Sequence, residues 1–406
     1  MTISMPAAWP TPGRDLEPDR GRFPARLIID PSAITANIEA LAALSDAVPL
    51  AIVKANAYGH GIDLAARAAL DAGCRWFGVA QAEEALRLAA LLKQWGEDGH
   101  ILTWIVRPGE WAPLVEAGVD ITVSEVGQVL DVAAAAAGLE RTARIHLKID
   151  TGMSRGGASA ADFSRLVAAA RQAQDVGHCE VVGLWSHLSR ADDPSEGGLA
   201  QTRLAEQEFV AARDQMVAAG LTPRVCHLAA TAGGLWHEST RFDLVRWGIS
   251  QYGYAPNPEM PLPVRLRPAM RLEAQLTLVK RVAAGRPVSY GGTVTLDEDR
   301  WLGIVPVGYA NGIPRLASNR AWVGINGQRC RQLGRICMDQ MVVDLGPADA
   351  EPVGHVGDLC DVLGGSGPDA DEWAEWAQTI SYEILTDIGL GVPRRVAAPG
   401  IGDVAE

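Results

Sequence analysis

The chain has 406 residues, of which 48% are hydrophobic and 21% are charged; this composition is typical of globular proteins, and the length favours two or three domains. Its 36 Lys and Arg residues against 49 Asp and Glu residues give a formal net charge of −13, which argues against nucleic acid or an anionic membrane as the main partner. The six cysteines have no CxxC spacing, so we expect reduced thiols in a cytoplasmic protein.

The first segment, residues 1–21, carries several prolines and charges and is predicted to be a flexible tail. It lacks the apolar core of a signal peptide, and no later window approaches about 18 uninterrupted apolar residues. We therefore expect a protein that is neither secreted by an evident signal nor membrane-spanning.

An alternation of strands and helices fills the next part of the chain. After a strand over residues 26–30, Asp30 and Pro31 supply the acidic cap and first-turn proline that predict a helix start. The eight strand candidates that follow are residues 50–54, 76–80, 101–105, 120–123, 144–150, 181–187, 224–229 and 244–249. Alanine-rich helical segments between them include residues 61–72, 81–95, 125–137, 160–174 and 199–219. This repetition favours an α/β fold with a (β/α)8 TIM-like barrel; an open doubly wound sheet is the alternative.

A change of composition marks a domain boundary. Residues 255–263 contain four prolines and are predicted to form a linker. We therefore expect a barrel over residues 22–258 and a mainly β domain over residues 259–406, with strand 26–30 as a candidate member of the β domain. The strand segments expected there are residues 271–282, 301–307, 321–325, 340–345 and 359–363, followed by one helix over residues 372–387.

Lys54 stands out in the first barrel strand. Residues 50–53 are four consecutive apolar residues, typical of a buried parallel strand, and Lys54 follows them before a polar turn with two glycines. A lysine at the end of a strand can simply extend its ammonium group to water. The other interpretation is an amine tuned by burial and neighbours for Schiff-base chemistry.

Polar residues gather after several of the predicted strands, at the end where barrel enzymes have their active sites. They are Lys54, Tyr58, Lys148, Asp150, Arg155, His187, Thr231, Arg246 and Gly248. Four of these side chains are cations, which would repel one another in one cavity unless an anion balanced them. A ligand that carries phosphate is the simplest candidate, and barrels often bind phosphate with the loops after strands seven and eight.

Eight motifs in order resemble the alanine racemase family of fold-type III enzymes, which depend on pyridoxal 5'-phosphate. They are AIVKANAYGHG, HLKIDTGMSRGG, LWSHLSRADD, DLVRWGISQYGYAP, PVSYGGT, IVPVGYANGIPR, GRICMDQMVVD and SYE. The resemblance spans residues 26–395. It implies an isomerase that interconverts L- and D-alanine, supplies D-alanine for peptidoglycan, and works as a homodimer in which the β domain completes the partner's active site.

The resemblance also implies two catalytic bases. Lys54 matches the amine that forms the Schiff base with the cofactor, and Tyr290 matches the base that the partner subunit supplies to the opposite face. Racemisation needs two such groups because a single base would mostly restore the original hand. Arg155 matches the arginine that bonds this tyrosine, and Lys148 matches a lysine that is carbamylated in some members.

Further matches concern the cofactor and the substrate. Arg246 matches the residue that faces the pyridine nitrogen, and His187 the residue hydrogen-bonded behind it. Matches to the phosphate contacts are Tyr58, Thr231, Gly248, Ile249 and Tyr382. Met338 and Tyr309 match residues at the substrate carboxylate or the entrance.

Two departures and several alternatives stay open. Asn311 stands where the family commonly has Asp, and Ala230-Thr231 replaces a pair such as Asn-Ser. Taken alone, Tyr290 is also explained as a strand aromatic and His187 as a buried imidazole. Residues interpreted as structural or orienting are His60, His227, Cys337, Asp150 and Asp339.

The alternative functions are a racemase with broader specificity, for example for serine or lysine, and a cofactor-binding protein without turnover. No cluster with metal-ligand spacing is evident, so no metal is expected.

Overall fold

The computed structural model describes residues 24–397, and the predicted tail over residues 1–21 lies outside this range. The chain divides into two compact units, one over Pro31–Ala269 and one that combines the segment up to Asp30 with the segment from Met270. The boundary therefore falls after residue 269 instead of residue 258. The reason is local: Ala269 donates a backbone hydrogen bond to Tyr252 at 3.2 Å, and Asn37 binds the carbonyl of Arg267 at 2.8 Å.

The first unit is a nearly closed barrel of eight parallel strands. We number strands along the whole chain, so that β1 is Ala25–Ile29 in the other unit. The barrel strands are β2 (Val48–Ile52), β3 (Trp76–Gln81), β4 (His100–Ile105), β5 (Asp120–Val123), β6 (Ala143–Lys148), β7 (Cys179–Trp185), β8 (Val225–His227) and β9 (Leu244–Trp247). Neighbours in the chain pair in order, and β9 pairs with β2. A single bridge between Ala230 and Arg246 joins the two remaining edges, and the predicted TIM-like fold is confirmed.

The helix Pro31–Ala42 precedes β2, and helices follow most of the barrel strands. The latter span Ile62–Asp71, Ala82–Trp95, Trp111–Glu116, Val126–Gly138, Ala160–Asp175, Glu196–Ala218 and Thr231–Trp236. Local signals explain several of their ends: the Ser159 hydroxyl accepts from the Asp162 amide at 3.2 Å, and Gly96 ends its helix with φ of 69°. The helix Trp111–Glu116 was not predicted, because six residues are too few for a helical period to be evident.

The second unit is mainly β, as predicted. Its strands after β1 are β10 (Met270–Gln275), β11 (Leu278–Val282), β12 (Pro287–Val288), β13 (Val294–Thr295), β14 (Arg300–Val305), β15 (Trp322–Ile325), β16 (Gln328–Leu333), β17 (Met341–Pro347), β18 (Leu359–Leu363) and β19 (Arg394–Val396). Eight of them form one nine-stranded sheet with β1, in the order β11-β14-β17-β16-β15-β18-β10-β1-β19. Here β1 pairs antiparallel with β10, so the strand predicted over residues 26–30 lies in the β unit.

Two predicted elements of this unit differ in the structure, and the strands β12, β13, β16 and β19 were not predicted. Residues 271–282 form two strands instead of one. The single helix predicted over residues 372–387 is two helices, Ala370–Ala377 and Ser381–Asp387, because Gln378 between them is left-handed with φ of 56°. Strand β16 was missed, although Asn326-Gly327, with φ of 50° and 73°, is the turn that favours a hairpin with β15.

Candidate active site

Lys54 begins an uncommon backbone turn at the end of β2. The strand ends at Ile52, and Ala55, Asn56, Ala57 and Tyr58 then have φ between 51° and 57°. Left-handed helical backbone costs roughly 1–2 kcal/mol for each residue with a side chain. The turn is stabilised by Glu84, whose Oε1 accepts from the Ala55 amide at 2.6 Å. Strain of this kind is typical of functional sites.

The Lys54 amine is partly buried and lies among other cations. Burial first, and then the charge of Arg155, lower its pKa from the ordinary value, while Glu84 acts in the opposite direction. Its Nζ lies 5.9 Å from the ring centroid of Trp104. A lysine with a lowered pKa is a better nucleophile near neutral pH than a surface lysine.

Lys148 and Arg246 share the ring of Trp185. The Lys148 Nζ lies 4.2 Å from the ring centroid, and the Arg246 Cζ lies 5.0 Å from it. Burial, followed by the charges of Arg246 and Arg155, lowers the pKa of Lys148 to about 8. The face of an indole attracts cations, so Trp185 partly offsets the repulsion between these two side chains.

The Arg246 guanidinium is buried and anchored on the protein. Arg246 is the third residue of β9, not a residue after the strand as predicted, and it is 3% exposed. Its Nη1 contacts the Nδ1 of His227 at 3.0 Å, and its Nη2 contacts the Nδ1 of His187 at 3.1 Å. Within residues 24–397 no carboxylate lies at ion-pair distance from it. Burial lowers its pKa to about 9.

His187 lies close to all four predicted cations. Burial first, and then the charges of Arg246, Arg155, Lys148 and Lys54, hold its pKa well below the ordinary value. The imidazole is therefore neutral at physiological pH. Because arginine only donates, the His187 Nδ1 accepts from Arg246 and the proton is on Nε2.

Tyr58, Thr231 and Gly248 meet at one place after β2, β8 and β9. The Gly248 amide donates to the Thr231 Oγ1 at 2.9 Å. A Cβ added to Gly248 would lie 2.8 Å from the Tyr58 Oη, so the close approach requires glycine. Burial raises the pKa of the Tyr58 hydroxyl, which stays protonated. Ile249 is fully buried beside Gly248.

Arg155 is carried by a loop that Asp150 organises. The Asp150 Oδ1 accepts from the amides of Gly152, Met153 and Ser154 at 3.0, 2.9 and 3.1 Å. Arg155 itself is exposed. Asp150 thus orients the loop, which agrees with its interpretation as an orienting residue.

The remaining predicted site residues lie in the β unit. Tyr290, Tyr309 and Met338 are 70%, 43% and 57% exposed on this unit. Tyr309 and Met338 belong to paired loops, since the Tyr309 amide donates to the Cys337 carbonyl at 3.0 Å. Tyr382 is half-buried in the helix Ser381–Asp387.

Asn311 has a local structural role in the same unit. Its Oδ1 accepts from the Gly308 amide at 3.2 Å, and its Nδ2 donates to the Leu390 carbonyl at 3.1 Å. An aspartate could make only the first of these bonds. The departure from the family pattern is therefore matched to its surroundings.

Sequence reasoning missed several residues of the site. Trp104 and Trp185 contact the cations, and Glu84 supports the turn at Lys54. The tryptophans stand at the carboxyl ends of β4 and β7, where an aromatic residue could have been noted. Among residues 24–397, no group of three or more His, Cys, Asp and Glu side chains is arranged to hold a metal ion, and no helix is long and apolar enough to span a membrane.

Known proteins resemble the chain over nearly its whole length. Residues 29–256 match the alanine racemase N-terminal domain, and residues 269–396 match the alanine racemase C-terminal domain. An alanine racemase of Beutenbergia cavernae is 45% identical over 382 residues, which cover 92% of this chain and 97% of the relative.

Solved structures agree with this similarity. An alanine racemase from Streptomyces coelicolor A3(2) matches with a TM-score of 0.85 and 42% identity, covering 92% of this chain and 97% of that one. The alanine racemase from Bartonella henselae, solved with covalently bound pyridoxal phosphate, matches with a TM-score of 0.80 and 29% identity, covering 92% and 99%. The chain belongs to the alanine racemase family.

Proposed function

We propose that the protein interconverts L- and D-alanine with pyridoxal 5'-phosphate bound to Lys54 at the mouth of the barrel. The strongest support is the environment of Lys54, a partly buried amine with a lowered pKa in a strained turn. A lysine of this kind is the expected Schiff-base partner of the cofactor. A relative of known structure holds pyridoxal phosphate covalently, in agreement with this assignment.

The residues around Lys54 fit the cofactor. Tyr58, Thr231 and Gly248 would hold the phosphate with two hydroxyl groups and a backbone amide, which in the structure donates to the Thr231 Oγ1. A Cβ on Gly248 would lie 2.8 Å from the Tyr58 Oη, so glycine leaves the space for this arrangement. Ile249 and Tyr382 are proposed as further contacts of the phosphate. Bound to a substrate amine, the cofactor withdraws electrons and makes the α-proton acidic. The excess of cations also favours a ligand that carries negative charge.

Arg246 would face the ring nitrogen of the cofactor. A guanidinium has no acceptor for a ring N–H, so Arg246 would favour the unprotonated form of this nitrogen. This would limit the electron withdrawal by the ring and restrain side reactions such as transamination. His187 holds Arg246 from behind through its Nδ1.

The two-base step would combine Lys54 with Tyr290 of the partner subunit. One base removes the α-proton on one face and the other returns a proton on the opposite face. Tyr290 is 70% exposed on its own unit, so another surface must cover it to give a base a defined position. We therefore infer a homodimer whose active sites are shared, with Tyr309 and Met338 at the substrate entrance.

Arg155 and Lys148 would set the charge around this tyrosine. Arg155 is proposed to bond Tyr290 of the partner subunit and the substrate carboxylate. Lys148 has a pKa lowered to about 8, so a substantial fraction of its amine is neutral near physiological pH. A neutral amine can add to carbon dioxide and release a proton, and the resulting carbamate would be an anion able to hold Arg155.

The test uses the purified protein with pyridoxal phosphate. We expect the absorption of the bound cofactor and racemisation of both enantiomers of alanine, and Lys54→Ala should abolish both. Tyr290→Phe should keep the absorption and lose most of the racemisation, which separates cofactor binding from the two-base step. Normal racemisation by Lys54→Ala would refute the assignment.

A panel of enantiopure amino acids decides between the alanine enzyme and a racemase of broader specificity. Turnover of serine or lysine comparable to that of alanine would favour the broader enzyme. A protein that binds the cofactor without turnover would show absorption but no racemisation of any substrate. The cellular role proposed here is the supply of D-alanine for peptidoglycan in the cytoplasm.

A further inference from the structure

A line of polar side chains crosses the interior of the barrel, where branched apolar residues ordinarily fill the space. It begins at Arg246 in β9, passes His227 at the end of β8 and His146 within β6, and reaches Asp120, the first residue of β5. All four residues are at most 3% exposed. The mechanism proposed above uses only Arg246.

The first contact fixes the proton of His227. The Arg246 Nη1 lies 3.0 Å from the His227 Nδ1. Arginine can only donate, so the Nδ1 accepts and a neutral His227 carries its proton on Nε2. Burial and the charge of Arg246 hold the pKa of His227 well below the ordinary value, which agrees with a neutral ring.

The second contact continues the donor-to-acceptor direction from His227 to His146. The His227 Nε2 lies 3.2 Å from the His146 Nδ1. Since His227 donates here, the His146 Nδ1 must accept, and His146 carries its proton on Nε2. If His146 were an imidazolium, its Nδ1–H would face the Nε2–H of His227, and two donors would meet. Moving the His227 proton to Nδ1 would remove this clash but would place that proton against the donor Arg246.

The third contact ends at a carboxylate. The His146 Nε2 lies 3.6 Å from the Asp120 Oδ2, beyond hydrogen-bond distance, and has no hydrogen-bond partner within the described chain. Arg144 binds the Asp120 Oδ1 through its Nε. Burial raises the pKa of Asp120, but its neighbours, among them the Arg144 guanidinium, lower it below the ordinary value. Asp120 is therefore an anion at the far end of the line.

The surroundings leave the two rings little freedom. The ring of Trp185 stacks on His227 with centroids 5.5 Å apart and planes 10° apart. A Cβ on Gly183 would lie 2.3 Å from the His146 Nδ1, so the absence of a side chain at residue 183 makes the space for this imidazole. The line is thus packed in place on both sides.

We propose that Arg246, His227, His146 and Asp120 form a directional polar relay that orients the Arg246 guanidinium. Two hydrogen bonds, whose donors point toward Asp120, are followed by a 3.6 Å contact between the His146 Nε2 and the Asp120 carboxylate. His227, His146 and Asp120 are positioning residues, since they act through Arg246. Arg246 has no carboxylate at ion-pair distance within the described residues. The relay connects it instead to the Asp120 carboxylate, which lies across the barrel at the amino-terminal end of β5. The effect of the relay on racemisation rests on the proposed function. The positions of the protons on His227 and His146 do not depend on it.

Nitrogen NMR of the holoenzyme labelled with 15N-histidine tests the protons directly. The signals of His227 and His146 are assigned by their loss in His227→Gln and His146→Gln. At neutral pH we expect both rings to be neutral with the proton on Nε2. A proton on Nδ1 of either ring, or an imidazolium at either position, would overturn the relay, whether or not the protein racemises alanine.

A pair of variants then tests the effect on Arg246. Glutamine at residue 227 can accept from Arg246 and donate to His146, whereas leucine of similar size can do neither. Loss of an outer partner that orients a functional group costs on the order of 10- to 100-fold in metal sites, and we expect the same order in kcat for His227→Leu, with partial rescue in His227→Gln. Equal or better activity in the leucine variant would indicate packing alone.

Asp120→Asn against Glu180→Gln gives a second, independent comparison. Glu180 contacts the same Arg144 at 3.6 Å but does not contact the histidines. We expect Asp120→Asn to reduce kcat about tenfold or more by the same reasoning and to alter the absorption of the bound cofactor, while Glu180→Gln changes neither. Equal effects of the two substitutions would refute the role of Asp120.

Discussion

The left-handed turn after Lys54 predicts that one substitution has opposite effects at two sites. Ala55 is exposed and has φ of 51°, where a side chain costs roughly 1–2 kcal/mol. Ala134 is also exposed but lies within the ordinary helix Val126–Gly138. Ala55→Gly relieves strain in the folded protein, whereas Ala134→Gly relieves none.

The expected stability changes of the two variants differ only by the strain, because the unfolded-state term is the same for both. Glycine adds unfolded-state entropy worth roughly 0.5–1 kcal/mol at both sites. Ala55→Gly should therefore change the free energy of unfolding by about 0 to +1.5 kcal/mol, and Ala134→Gly should lower it by about 1 kcal/mol. For a unit of this size, about 2–4 °C corresponds to 1 kcal/mol, so the two Tm values should differ by at least about 2 °C.

Thermal unfolding followed by far-ultraviolet circular dichroism measures both variants. Most helices of the described chain belong to the barrel unit, so the helical signal reports mainly on it. A fall in Tm for Ala55→Gly as large as that for Ala134→Gly would refute the strain. The same relief should loosen Lys54, so we also expect Ala55→Gly to lower kcat for alanine while Ala134→Gly leaves it unchanged.

Substitutions at three further residues test the site. Glu84→Gln replaces one of two accepting oxygens by a donor and should lower the free energy of unfolding by about 1–3 kcal/mol, as measured by urea unfolding. Loss of the Glu84 charge should also lower the pKa of Lys54 further, so the pH dependence of cofactor binding should move to lower pH. Thr231→Val leaves the Gly248 amide without its acceptor and should cost about 1–3 kcal/mol, whereas Thr231→Ser should cost less; equal losses would contradict the hydrogen bond. Lys148 has a folded-state pKa of about 8 against 10.5, so the unfolded chain binds more protons between these values and the wild type gains stability as pH rises through them. Lys148→Met should be more stable than wild type at pH 7 by up to about 3 kcal/mol and should lose this advantage toward pH 10.5. The free energy of unfolding of both apoproteins, measured in buffer free of carbon dioxide, tests this. A stability advantage that does not depend on pH would contradict this reasoning.

Much of the barrel could be predicted because its strands are short apolar runs bounded by helical segments. All eight predicted strands are present in the structure. Parallel strands place their carboxyl ends together, which is why residues far apart in the sequence, such as Lys54 and His187, could be expected in one place. The roles assigned to the site residues stay predictions.

Other features leave little trace in the sequence. Nothing in the run Ala55–Tyr58 indicates four successive left-handed residues, because such backbone is ordinarily assigned to glycine. The contact of His227 with His146 joins two strands that are not neighbours in the sheet, so it depends on how side chains fill the barrel interior. His227 was accordingly interpreted as structural, and its partners were not anticipated.

The unfavourable features of the barrel unit lie close together, and this has a common explanation. The left-handed turn at Lys54, the mutual repulsion of the four cations around His187 and the buried guanidinium of Arg246 each raise the free energy of the folded protein. A single anionic ligand at this mouth would offset the repulsion and would contact the turn and the guanidinium together. Binding then stabilises the folded state by mass action, which lets the site keep strain and charge that an ordinary barrel end would not tolerate. The relay to Asp120 fits the same logic, since it supports Arg246 from inside the barrel without placing a carboxylate beside the ligand, where it would repel the phosphate.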